Sequence, residues 1–125
     1  MTKISSGLRT LFLVHFVVGL VFGLLYLFIP VMFMGWFGVS VPDVLPYRII
    51  GAAVLAFTAS SWYCYQAPEW ERVKIVVLAE IAWTVLNTLV SLYGILFAGA
   101  PTAEWANVII MAGFAGAFIY FYNKK

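Results

Sequence analysis

Charge is what this sequence has least of. Only 10% of its 125 residues are Asp, Glu, Lys or Arg, against about 25% in an ordinary soluble domain. Histidine and cysteine occur once each, as His15 and Cys64. One cysteine excludes an internal disulfide, and one histidine with one cysteine cannot assemble a zinc or bis-histidine haem site. There is no Gly-rich phosphate loop, and no Ser/His/Asp set can be assembled around a helix-embedded His15. No catalytic, cofactor or metal residues are therefore expected, and the chain reads as a non-enzyme. The net charge of +2 comes from cations at helix ends and not from a basic patch, so nucleic acid is not an expected partner.

What is present is apolar. Hydrophobic residues make up 65% of the chain and its mean hydropathy is +1.03. A water-soluble fold of this size buries only about two-thirds of the surface of its unfolded chain, so the excess must face lipid. Four apolar runs, Leu8–Ile29, Pro46–Gln66, Val73–Phe97 and Glu104–Tyr122, are each close to the ~20 residues that span a bilayer core. The expected fold is therefore all-α, a single domain over residues 1–125 that is an integral membrane bundle of four transmembrane helices. All five prolines (Pro30, Pro42, Pro46, Pro68 and Pro101) fall at the ends of these runs or between them, where a missing backbone donor does no harm. Trp36, Trp62, Trp70, Trp105 and all seven tyrosines lie near the proposed interfaces, and Trp83 is the exception.

Orientation follows from the positive-inside rule. Lys3, Arg9, Arg72, Lys74, Lys124 and Lys125 fall on one side and only Arg48 on the other, so both termini are expected in the cytoplasm of a multi-pass cell-membrane protein. Lys3 and Arg9 resemble the charged start of a signal peptide. The apolar stretch behind them exceeds the usual 7–15 or so residues and no small-residue cleavage site follows, so an uncleaved first helix is expected. Residues 31–45 are unusually apolar for a loop. They read as an interfacial segment with Phe33, Trp36 and Phe37 in the headgroup layer, or alternatively as a re-entrant loop. Arg48 reads as an interfacial anchor that can pair with Asp43 or Glu104.

Helix association in lipid needs close backbone approach, because lipid solvates leucine as well as a neighbouring helix does. Gly19-x-x-x-Gly23 in the first span, Ala52, Ala56 and Ser60 in the second, and Ala112-x-x-x-Gly116 with Gly113-x-x-x-Ala117 in the fourth offer such faces.

The third span carries Glu80, Thr84, Asn87 and Ser91 on one helical stripe, with Trp83 beside it. A charge at the centre of a membrane helix costs about 2.5–3.5 kcal/mol, so the stripe should face the protein interior. His15 and Glu80 each lie seven residues from the cytoplasmic start of their runs, at about 10 Å depth for a rise of 1.5 Å per residue. Thr58 reaches a similar level, and the small residues Ala115 and Gly116 of the fourth run leave space there. His15, Thr58, Glu80, Trp83, Thr84 and Asn87 together form the candidate intramembrane polar site.

Gly23-Leu-Leu-Tyr-Leu-Phe-Ile-Pro30 and Tyr47-Arg-Ile-Ile-Gly-Ala-Ala make the first half resemble the DoxX-like small four-helix membrane proteins. The resemblance implies a four-helix bundle and permits an accessory role beside respiratory subunits. Small multidrug transporters also have four helices and one intramembrane carboxylate, but theirs is in the first helix and here the glutamate is in the third.

Two functions follow as expectations. One is an accessory or structural subunit of a larger membrane complex, with the bilayer and other membrane subunits, or further copies of the chain, as partners. The other is a small oligomeric transporter or binder of a hydrophobic or cationic compound, with Glu80 as its proton-linked site. Pairing of His15 with Glu80 is open to a double-mutant cycle in detergent. If they pair, His15→Leu alone costs about 3–5 kcal/mol, and His15→Leu with Glu80→Leu is nearly neutral. Additive effects mean that the two side chains do not interact.

Overall fold

The computed structural model describes residues 2–124; Lys125, counted above among the cytoplasmic cations, lies outside them. Among the described residues the chain is all-helical, with five helices: α1 (Ser6–Phe28), α2 (Pro30–Gly35), α3 (Leu45–Gln66), α4 (Trp70–Phe97) and α5 (Glu104–Lys124). The four long helices match the four apolar runs to within three residues at each end. Three of them, α1, α4 and α5, are long and apolar enough to cross a membrane. α3 has the length, at 22 residues, but carries Arg48, Ser60, Ser61 and Gln66.

The helix boundaries have local causes. Ser5 Oγ accepts a hydrogen bond from Leu8 N (3.1 Å), and Asp43 Oδ1 accepts one from Leu45 N (3.0 Å), which satisfies donors that a helix start leaves open. Pro30 is the first residue of α2, where its fixed φ suits a helix start. α2 stops because Gly38 takes φ 72°, which lets Val39 N bond back to Met34 O (3.0 Å). α4 stops at Gly99 (φ 68°), with the Gly94 carbonyl accepting from both Ala98 N (3.1 Å) and Ala100 N (3.0 Å).

The chain divides into two compact units. The first holds the N-terminal residues through Leu11 and everything from Gln66 onward. Its centre is the α4–α5 hairpin, with Trp70, Val73, Val77, Glu80, Thr84 and Ser91 buried on α4 and Val108, Ala115 and Phe118 buried on α5. At one end the extended N-terminus is stitched to the turn before α4. Ile4 N donates to Pro68 O (3.2 Å), and Trp70 N donates to Thr2 O (2.8 Å), so an open donor at the start of α4 is satisfied by the N-terminal backbone. Trp70 is buried, with its ring 5.7 Å from that of Tyr122.

The second unit, Phe12–Tyr65, is built on close approach of α1 and α3. Gly19 and Gly23 are buried as expected. A Cβ at Gly19 would collide with Thr58 Oγ1, and one at Gly23 would meet Leu55 at 2.7 Å. The face that α3 presents differs from the expected one. Ala52 and Ala56 are exposed, and the approach is made at Gly51, where an added Cβ would lie 2.7 Å from Leu27 N and 3.0 Å from Gly23 O. The small residues of α5 are likewise not used as expected. Ala112, Gly113 and Gly116 are exposed, with nothing described within 4 Å of a Cβ added at either glycine.

In residues 31–45, Phe33 is buried and turned inward, with its ring 5.1 Å from Tyr26 and 5.9 Å from Phe22. Val31, Met32, Trp36 and Phe37 point outward. α2 is thus a six-residue helix anchored by one phenylalanine, with an outward apolar face.

Gly51 faces backbone, which cannot swing aside. Gly51→Ala is expected to destabilise the protein by about 1–3 kcal/mol, whereas Gly116→Ala, in open space on a helix, should be neutral or slightly stabilising. Thermal unfolding in a mild detergent followed by tryptophan fluorescence measures both.

Candidate functional site

The polar residues singled out in the sequence fall in both units, and within the first unit they form two groups along α4. In the second unit, His15 on α1 is buried and its Nδ1 shares a 2.7 Å hydrogen bond with Ser61 Oγ on α3. Thr58, one turn before Ser61, is buried against Gly19 and donates its hydroxyl proton to Val54 O (2.8 Å). Cys64 is buried one turn beyond. His15 and Thr58 thus lie within the same α1–α3 contact, as their depth implied. Ser61 was missed. Its signal was present in the spacing of Thr58, Ser61 and Cys64, three residues apart and on one helical face.

In the first unit, Glu80 and Thr84 are both fully buried on α4, as the stripe required. Thr84 Oγ1 donates to Glu80 O (2.7 Å), and Thr88 Oγ1 to Thr84 O (2.7 Å). These hydroxyl protons are therefore held by the helix's own carbonyls, the usual resource of threonine where water is absent. Trp83 is half-buried beside the stripe.

Asn87 belongs to a different cluster. Two turns past Glu80, Asn87 and Ser91 meet Glu104 and Asn107 of α5. Ser91 Oγ donates to Glu104 Oε1 (2.7 Å), and it lies 3.4 Å from Asn87 Oδ1. Asn107 Nδ2 lies 2.8 Å from Asn87 Oδ1, 2.9 Å from Ser91 Oγ and 2.9 Å from Glu104 Oε1. The six-residue candidate site is thus divided along α4, and its Asn87 end acquires two α5 residues that sequence reasoning left out. The signal available was the pair Glu104 and Asn107, three residues apart at the start of a helix otherwise almost free of polar groups. A reading of depth from one end only could not match them to Asn87 and Ser91.

Arg48 is exposed at the start of α3. Of the carboxylates proposed as its partners, Asp43 caps Leu45 N and Glu104 is bonded to Ser91 and Asn107. Among the described residues no three or more His, Cys, Asp or Glu side chains come together as a metal site would require. His15, Thr58, Thr84, Thr88, Asn87, Ser91, Glu104 and Asn107 each meet a neighbour or a backbone carbonyl of their own unit. Comparison with protein-family profiles, curated proteins and solved structures finds no match to this chain.

Asn107 and Ser91 each contact three polar groups of this cluster, two of them across the α4–α5 pair. Asn107→Leu is expected to cost about 1–2 kcal/mol, the range of interhelical hydrogen bonds in lipid. Thr88→Val removes only a bond within one helix and should change stability by less than about 0.5 kcal/mol. Unfolding titrations in SDS against a mild detergent compare the two.

Proposed function

We propose that this chain is a non-enzymatic, multi-pass membrane protein whose four long helices each cross the bilayer, with both ends cytoplasmic, and that it serves as an accessory or structural subunit of a larger membrane assembly. The observation that carries the reading is the division of residues between inside and outside. Polar side chains such as His15, Ser61, Thr84, Asn87 and Asn107 are engaged within the protein, while the outward surface is lined by large apolar residues and by the small residues of α3 and α5.

α3 fits as the fourth span despite its polar content. At 1.5 Å per residue its 22 residues cover about 33 Å, enough for a bilayer core of about 30 Å. Thr58, Ser61 and Cys64 are turned inward, Ile49, Ile50, Ala52 and Ala53 outward, and Trp62, Tyr63, Tyr65 and Gln66 close the helix in the manner of an interfacial belt. The DoxX-like pattern of the first half supports the same architecture and the accessory role. Transport linked to Glu80 is the second reading, favoured by one observation, a carboxyl side chain buried completely on α4.

Purification from native membranes in a mild detergent tests the proposal. Larger subunits that co-purify in fixed ratio are the expected result, with a fusion at the C-terminus and labels in residues 67–72 protected from outside reagents. A homo-oligomer alone, in which the infrared carboxyl band lost in Glu80→Gln responds to a hydrophobic cation, overturns it in favour of transport.

A further inference from the structure

Scattered at helix ends in the sequence, the cations of the first unit are gathered by its fold at one end. The extended N-terminus pairs with the turn before α4, Lys3 opposite Glu69, through the Ile4–Pro68 and Thr2–Trp70 bonds. Arg9 Nη2 donates to Ala67 O of the same turn (3.4 Å). The end of α5 closes on both segments. The Tyr122 ring lies 5.7 Å from that of Trp70, and a Cβ added at Gly7 would lie 2.6 Å from the Phe121 ring. These contacts bring Lys3, Arg9, Arg72, Lys74 and Lys124 to one end, and all five are exposed. Among the described residues the carboxylates there are Glu69 and Glu71, and Glu69 is engaged with Arg72 (3.6 Å). Glu80 is buried about three turns along α4, and Glu104 starts α5 at the far end of the hairpin. Positive charge is therefore in excess at this end.

We propose that Lys3, Arg9, Arg72, Lys74 and Lys124 form a docking surface for the headgroup phosphate of an anionic phospholipid. The planar guanidinium forks of Arg9 and Arg72 suit phosphate oxygens, and the lysines add point charges around them. A free phosphate would satisfy the same groups, and what singles out a lipid is the surface beside them. Next to Lys74 on α4, Ile75, Leu78, Ala82, Leu86 and Leu89 are exposed at spacings of three, four, four and three, which makes one outward stripe. An acyl chain thus has an apolar track that begins where its phosphate is held. Tyr120, also exposed, lies under Lys124 Nζ (5.8 Å to the ring centroid) and supplies an aromatic ring of the kind that favours the headgroup level. An acidic protein segment would meet the cations but would gain nothing from the stripe. The inference rests on reading the chain as a membrane protein with this end at one bilayer surface, and not on its role in an assembly.

The test is the response of the full chain, in an uncharged maltoside detergent, to added phosphatidylglycerol, compared with phosphatidylcholine and inorganic phosphate. Phosphatidylglycerol should raise the midpoint of thermal unfolding by about 3–6 °C, since a ligand that binds only the folded state stabilises it by mass action. The other two should not. A cation close to anionic lipid adds about fivefold in affinity, so Arg9→Gln and Lys74→Gln should each raise the lipid concentration for half the effect by about that factor. Arg48→Gln, at the start of α3, should leave it unchanged. Should a variant fail to fold, the wild-type protein decides the matter through salt: going from about 0.05 to about 0.5 M NaCl shortens the reach of charge and should weaken the phosphatidylglycerol response. An equal response to phosphatidylcholine or to inorganic phosphate, a response that survives both substitutions or ignores salt, or an equal loss in Arg48→Gln each overturns the surface. A chain that enters phosphatidylcholine bilayers yet shows no phosphatidylglycerol response loses this surface alone, and one that enters no bilayer loses the membrane reading with it.

Discussion

In an apolar surrounding a hydrogen-bonding group must find its partner inside the protein, because no water waits to replace one that is lost. That condition orders almost every feature of this chain. Backbone groups meet it by forming four helices of 21 to 28 residues. Helix ends meet it with the Ser5 and Asp43 side chains, with Gly38 and Gly99 turning the chain back, and with the extended N-terminus bonding at Pro68 and Trp70. Side chains meet it in two ways: threonines fold back onto their own helix, while His15, Asn87, Ser91 and Asn107 reach across to another.

The two kinds of bond have different consequences. A threonine bonded to the carbonyl one turn earlier is satisfied wherever its helix goes and specifies no partner. A bond such as His15–Ser61 or Asn107–Asn87 exists only when two helices sit at one register. Apolar packing in lipid discriminates weakly between registers, since lipid competes for the same surface. The few cross-helix bonds therefore act as register marks, and the close backbone approach at Gly51 works with His15–Ser61 to set how α1 and α3 meet. Among the described residues the α4–α5 hairpin has no comparable glycine contact, and polar bonds mark its register.

Much of this was legible without coordinates. Length and apolarity located the four long helices because a long apolar helix satisfies its backbone donors itself, and a proline in its interior would leave one open. The buried stripe of α4 was legible for a related reason: polar residues at spacings of four, three and four share a face, and only one face can avoid lipid. What misled was composition taken without direction. The alanines of α3 and the small residues of α5 had the spacing of packing faces, yet a small residue costs little whether it meets a helix or a lipid chain, so spacing could not say which.

That the chain is helical and apolar, where its four long helices lie to within three residues, and which face of α4 is buried could be read from the residues alone, since these depend on interactions within one helix or between a helix and its surroundings. It took the packing of one helix on another to show that Ser61 bonds His15, that Gly51 and not Ala52 or Ala56 admits the neighbouring backbone, and that Asn87 belongs with Glu104 and Asn107 and not with Thr84. Those pairings depend on the relative rotation and sliding of two helices. Helical periodicity specifies a residue's angle on its own axis and is silent on the phase of the helix beside it.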